Sequence, residues 1–261
     1  MAFTPPTLAS ETIAHIAGFP IRNSMVMGWL AMAVLIIAAL VFKKKGGKIV
    51  PRGFQNFVEM IIEGLFSFFD SVTQDKNQTR KFFPIVATLF LFIILSNWMG
   101  IFPGVGPIGI YENLHGGEVL VPLFRSAFAD VNMTLALAII SVVITQIMGF
   151  ASLGFLGYAG KFFVNPLKDF IGFFVGLLEL ISEFAKMISF SFRLFGNIFA
   201  GEVLLVVMGF LAPFIAPIPF YGLELFVGLV QALVFSLLTL VFMKMAVTSH
   251  HHSDDLKTSR D

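Results

Sequence analysis

Arg193, Asn197, Glu202, Glu224 and Gln231 interrupt the most apolar part of the chain. A guanidinium does not give up its proton and acts as a fixed positive charge, whereas a carboxyl can take up and release one. A charge at the centre of a bilayer costs about 2.5 to 3.5 kcal/mol on insertion scales, so ionisable residues there are functional candidates by default. One fixed cation with two carboxyls is the equipment of an ion relay. Lys186, Ser189, Arg193 and Asn197 recur at spacings of three or four and form one polar stripe, while Glu202, at about 100° per residue, points to the opposite side. Glu224 and Gln231 stand seven apart and share a helix face.

The proline-rich run "PFIAPIPFYG", with Pro213, Pro217 and Pro219, separates the two segments that carry these residues. If the chain folds back there, depth matching predicts two polar levels. Arg193 lies level with Gln231, and Glu202 lies level with Glu224, about 13 Å nearer the outer side. Two carboxyls at one depth resist ionising together, which suits a proton relay. Ser189, Asn197 and Gln231 read equally well as hydrogen-bonding glue between helices. Gly172, Gly176, Gly196 and Ala200 read as places of close helix approach rather than cofactor contacts.

The elements that must hold these groups are membrane helices. At 57% hydrophobic and 13% charged, with 33 Phe, the 261-residue chain is too apolar for a soluble domain. About 20 apolar residues cross a bilayer core. The expected fold class is an all-α integral membrane protein with five membrane-crossing helices plus one interfacial amphipathic helix, the last two crossings forming a long strongly tilted hairpin. Within one membrane domain, 1–261, the expected elements are helix 1 at 25–42, an interfacial helix at 51–74, crossings at 82–103, 132–157, 166–211 and 220–247, and a polar tail at 248–261. The apolar run from Ile171 to Leu211 would be about 60 Å long as one straight helix, twice the bilayer core, so it either breaks into two crossings or tilts strongly, and the absence of an interior Pro or turn cluster favours the tilt. In "FQNFVEMIIEGLFSFFDSV", Phe54, Phe57, Val58, Ile61, Ile62, Leu65, Phe68 and Phe69 recur at helical spacing with Glu59, Glu63 and Asp70 largely opposite. That segment should lie along the inner membrane surface, or pack on protein.

Lys43, Lys44, Lys45, Lys48, Arg52, Lys76, Arg80, Lys81, Lys161, Lys168 and Lys244 all fall on one side if the N-terminus is outside, so the positive-inside rule places the C-terminus in the cytoplasm. The first apolar run starts at Met25 with its positive cluster behind it and reads as a retained anchor, not a signal peptide. In the outer loop, Glu112, His115, Glu118, Arg125 and Asp130 read mostly as ordinary solvated polarity. A net charge of +1 argues against nucleic acid. Zero cysteines exclude disulfides and thiolate chemistry, and the terminal "SHHHSDD" has no folded frame for a metal. The "NQT" and "NMT" sequons fall on the inner side and at the start of a crossing, so neither reads as a glycosylation site.

The segment "SFRLFGNIFAGE", followed by "GLVQALVFSLLTLVFM" and supported by "SNWMGIFPG" and "ADVNMTLALAI" in the expected order, resembles the a subunits of F-type ATP synthases. The resemblance spans the chain from the first crossing onward. It implies an ion-translocating stator that forms two offset half-channels against a rotating ring of c subunits, is held by peripheral-stalk b subunits, and performs no bond chemistry of its own. It implies no cofactor and no metal. Arg193 would correspond to the arginine facing the ring carboxylates, with Asn197, Glu202, Glu224 and Gln231 along the ion path. Glu202 and Glu224 would line the outer half-channel; the family often has histidine at one of these two positions. Ser189 and Lys186 would stand nearer the inner half-channel, and Asp130 and Asn132 would be further channel lining. The transported ion is a proton in this reading, with the choice against Na⁺ resting mainly on the ring. A bacterial plasma membrane is the expected location.

Two rivals lack their signatures. A secondary ion or solute transporter with an intramembrane charge relay would commonly show internal repeats and paired interrupted helices. An intramembrane enzyme would need a motif such as Gly-x-Ser-x-Gly or His-Glu-x-x-His, or a histidine base within a crossing, and the sequence has none of these.

Overall fold

The computed structural model describes residues 10–16, 18–45, 53–102, 108–114, 117–154, 157–158, 162, 170–212, 215 and 217–248. Lys48, Arg52, His115, Lys161, Lys168, Pro213 and the histidines of the tail lie outside these residues. Among the described residues are six α-helices: α1 (Asn23–Lys45), α2 (Phe54–Thr73), α3 (Lys76–Ile101), α4 (Val131–Leu153), α5 (Phe170–Leu211) and α6 (Pro217–Val247). All but α2 are long and apolar enough to cross a membrane.

Local chemistry sets the helix boundaries. Asp75 caps α3 by accepting the backbone N–H groups of Asn77 and Gln78, and Gln74 turns the corner from α2 in a left-handed conformation. The Thr73 and Thr79 hydroxyls meet across that corner, and Thr79 donates to Asp70 at 2.9 Å. Asp130 caps α4 in the same manner through Asn132 N–H at 2.9 Å. Gly154, with φ of 74°, ends that helix. Pro217 and Pro219 fall in the first turn of α6, where a missing N–H costs nothing.

Two short antiparallel hairpins accompany the helices. Strand β1 (Thr12–Ile16) pairs with β2 (Phe19–Arg22) just before α1. Strand β3 (Gly109–Leu114) pairs with β4 (Gly117–Pro122), with Gly109 opposite Pro122. The second lies in what the sequence reads as an irregular outer loop. It is followed by a 3-10 turn, Ala127–Ala129, whose three residues are wholly buried.

The core runs in two patches down the bundle. Leu89, Phe90, Ile93, Phe128, Leu137, Phe190, Leu194, Ile198 and Phe235 form the larger, joining α3, α4, α5 and α6 around that turn. Phe69, Phe82, Val86, Leu240 and Met243 form the smaller, where α2 packs on α3 and α6. The apolar face of α2 therefore divides: Phe69 is inside the protein, while Phe57, Met60 and Phe68 are exposed. Helix α6 packs most extensively on α3, where Asn97 donates to the carbonyl of Gly228 at 3.0 Å and Trp98 to that of Leu225 at 3.1 Å. Helix α5 has 42 residues and is about 63 Å long at 1.5 Å per residue. It lies against α4 and α6 and leaves a long face uncovered.

Candidate functional site

The uncovered face of α5 carries Ser182, Ala185, Ser189, Arg193, Gly196, Asn197 and Ala200, all exposed. Among the described residues Arg193 has neither an ion-pair nor a hydrogen-bond partner. Its neighbours along the face are small. A side chain added at Gly196 would meet open space, so Gly196 approaches no other helix among the described residues, and Ala200 is exposed one turn on.

Depth matching predicts Arg193 level with Gln231, but equal depth does not bring the two side chains together. Asn197, one turn further along, donates Nδ2 to Gln231 Oε1 at 2.7 Å. Matching depths fixes how far along two helices residues meet but not how the helices are rotated, and Arg193 is turned outward. Gln231 is 3% exposed, and its Nε2 is buried without a partner among the described residues.

Glu202 and Glu224 are expected at one depth, and the Glu224 carboxyl lies against the residue before Glu202, but the two carboxyls have different surroundings. Glu224 is 6% exposed, and its carboxyl lies directly against Gly201, where any Cβ would displace it. Glu202 turns away and takes Arg125: Nε lies 3.0 Å from Oε1 and 3.3 Å from Oε2, and Nη2 lies 3.2 Å from Oε2. Arg125 is only 5% exposed, so it is no solvated loop charge. The sequence reads it as one, because its burial depends on the turn Ala127–Ala129 being folded into the bundle.

Asp130 is likewise buried rather than solvated. It accepts from Ser10, from Ser24 at 2.9 Å and from Asn132 Nδ2, and pairs with Arg22 at 3.5 Å. Burial alone would raise its pKa, but the hydrogen bonds from Ser10, Asn132 N–H and Ser24 and the charge of Arg22 together hold it below the usual carboxylate value. Asp130 thus ties the head of α4 to Ser24 at the start of α1, with Asn132 holding its other oxygen. Among the described residues they make no bond to Glu202 or Glu224.

Toward the other end of α5 a cavity of about 430 Å³ opens, lined among others by Tyr158, Glu179, Glu183, Lys186 and Lys244. Lys186 leaves the stripe of Ser189 and Arg193 to donate to Glu183 at 2.6 Å, with its ammonium 4.5 Å from the centre of the Phe242 ring. Tyr158 rests against Gly149 and donates to Gln146 at 2.7 Å. Burial, with the charges of Glu183 and Glu179, pushes its hydroxyl up to about 12. Glu179 and Glu183 also went unnoticed in the sequence, although two acids four apart inside an apolar run are a legible signal.

The family model described as ATP synthase A chain matches residues 25–244. ATP synthase subunit a of Desulfotalea psychrophila is 39% identical over 228 residues, covering 87% of this chain and 85% of that protein. The subunit a of Syntrophobacter fumaroxidans is 34% identical over 92% of this chain and 91% of its own length, and that of Moorella thermoacetica is 30% identical over 91% and 96%. The match begins in the first helix and ends in the last, so it takes in both helices that carry the buried charges. The chain is a multi-pass integral membrane protein and belongs to the ATP synthase A chain family.

Proposed function

We propose that this chain is the ion-conducting stator of an F-type ATP synthase, with Arg193 facing the carboxylates of a rotating c ring across two offset half-channels. The observation that carries this reading is the exposed guanidinium on the small-residue face of α5, unpaired among the described residues. A charge so costly in hydrocarbon needs a partner, and with none among the described residues its partner is assigned to another molecule. Gly196, Ala200 and Ser189 leave room for a packed helix there.

The polar groups on α5 flank Arg193 on both sides. Glu183 and its cavity lie about 15 Å away along the helix in one direction, and Glu202 about 13 Å away in the other. Glu224, with Glu202 and Arg125, belongs to the outer half-channel; Tyr158, Glu179, Glu183 and Lys186 belong to the inner one. A ring carboxylate reaching Arg193 is held ionised and gives its proton to the inner side. Once past, it is reprotonated from the outer side. The arginine keeps its own proton and so blocks a direct leak between the two paths. Each proton crossing 100 mV yields about 2.3 kcal/mol, which a leak would dissipate. The N-terminus lies outside and the C-terminus in the cytoplasm of a bacterial cell, and b subunits of the peripheral stalk hold the chain against rotation.

The test is Arg193→Ala in assembled enzyme. Gradient-driven ATP synthesis is abolished while the chain remains in the complex; intact synthesis would reject the coupling role.

A further inference from the structure

We infer that the outer half-channel works through a single exchanging carboxyl, Glu224, and that Arg125 is a positioning residue that ties Glu202 out of the relay. The inference rests on the stator reading above and deepens it, because the sequence treats the two glutamates as equivalent.

The geometry makes them different. Both oxygens of Glu202 accept from the Arg125 guanidinium, through Nε and Nη2, at 3.0 to 3.3 Å. Such charge-assisted contacts are among the strong ones. Placing a proton on Glu202 would break these contacts and take a carboxylate away from a buried guanidinium, which is unfavourable. The backbone delivers Arg125 rigidly, since the next residues, Ser126 and the turn Ala127–Ala129, are buried and the turn packs on α5. Glu224, by contrast, accepts no hydrogen bond among the described residues and rests against the backbone of Gly201. It can bind and release a proton without dismantling an ion pair.

The pair also sets the charge around Glu224. Gly201, its seat, directly precedes Glu202 in the chain. With Arg125 in place, the neighbouring charges of Glu202 and Arg125 cancel. Loss of Arg125 alone leaves the Glu202 carboxylate uncompensated one residue from that seat, and loss of Glu202 alone removes the carboxylate that Arg125 holds there. Loss of both removes the imbalance. Opposed single and double variants therefore distinguish a tied carboxylate from a relay carboxylate.

The experiment uses the whole ATP synthase in membrane vesicles, with proton flux read by a pH-sensitive dye and abundance of the chain read by immunoblot. Glu224→Gln lowers flux at least tenfold. Arg125→Gln and Glu202→Gln each lower it at least tenfold, and the double variant Arg125→Gln with Glu202→Gln recovers at least fivefold over either single. If the double variant is absent from the membrane, the charge swap Arg125→Glu with Glu202→Arg is judged by the same recovery. A normally abundant double variant, or swap, that is as slow as Glu202→Gln would overturn the inference, as would wild-type flux in Glu224→Gln. Arg193→Ala in the same vesicles separates the two levels. Lost synthesis there with no recovery in the double variant sinks only the role of Arg125; retained synthesis sinks the stator reading beneath it.

Discussion

Asn197 donates its amide to the carbonyl oxygen of Gln231 at 2.7 Å, bridging α5 to α6 one turn from the outward-facing Arg193. The bond leaves Gln231 Nε2 buried and unpartnered among the described residues. A hydrogen bond between membrane helices is worth about 0.6 kcal/mol on average. That magnitude separates glue from function.

If the bridge were glue alone, Asn197→Leu would cost about 1 kcal/mol or less and leave synthesis intact. We predict instead that this variant keeps its thermal stability in detergent to within that margin while ATP synthesis falls about tenfold. Paired thermal unfolding and synthesis assays check it.

Gly201 is the seat of the Glu224 carboxyl, and a Cβ there meets carboxyl atoms rather than backbone. The flexible end of Glu224 can move aside, so Gly201→Ala should assemble normally. It should slow proton flux severalfold by unseating the carboxyl. Flux in vesicles at equal abundance of the chain is the measurement, and normal flux would remove Gly201 from the account.

The knot of Ser10, Arg22, Ser24 and Asn132 around Asp130 carries a pH dependence with a definite sign. The folded state holds this carboxyl below its unfolded value, so the knot's contribution is fully present above the ordinary carboxylate range, about 3.9 for aspartate. It is lost as pH falls through the folded value. Hydrogen exchange in strands β1 and β2 should accelerate at that acid step, and Asp130→Asn should remove the step while leaving exchange faster at neutral pH.

Much of this was legible in the sequence because hydrocarbon is a demanding solvent. It fixes helix length, so the five apolar runs stand out, and it makes a charge costly, so Arg193, Glu202 and Glu224 stand out within them. What the sequence left hidden depends on rotation and on loops. Helical phase at the α5–α6 crossing decides that Gln231 meets Asn197 rather than Arg193, and depth matching has no access to phase. Arg125 and Asp130 sit in a segment that reads as outer loop, and only the burial of Ala127–Ala129 carries them inside. Short hairpins such as β3–β4 leave a weak pattern among glycines and prolines.

The absence of cysteine makes the most direct test of the central claim simple. A single cysteine replacing Gly196, on the open face beside Arg193, should form a disulfide with a cysteine placed next to the ring carboxylate of the c subunit. A cysteine replacing Leu194, buried on the opposite side of α5, should not. Cross-linking through position 196 alone is the result this account predicts; no cross-link there, with the ring captured instead from another helix of the chain, would contradict it.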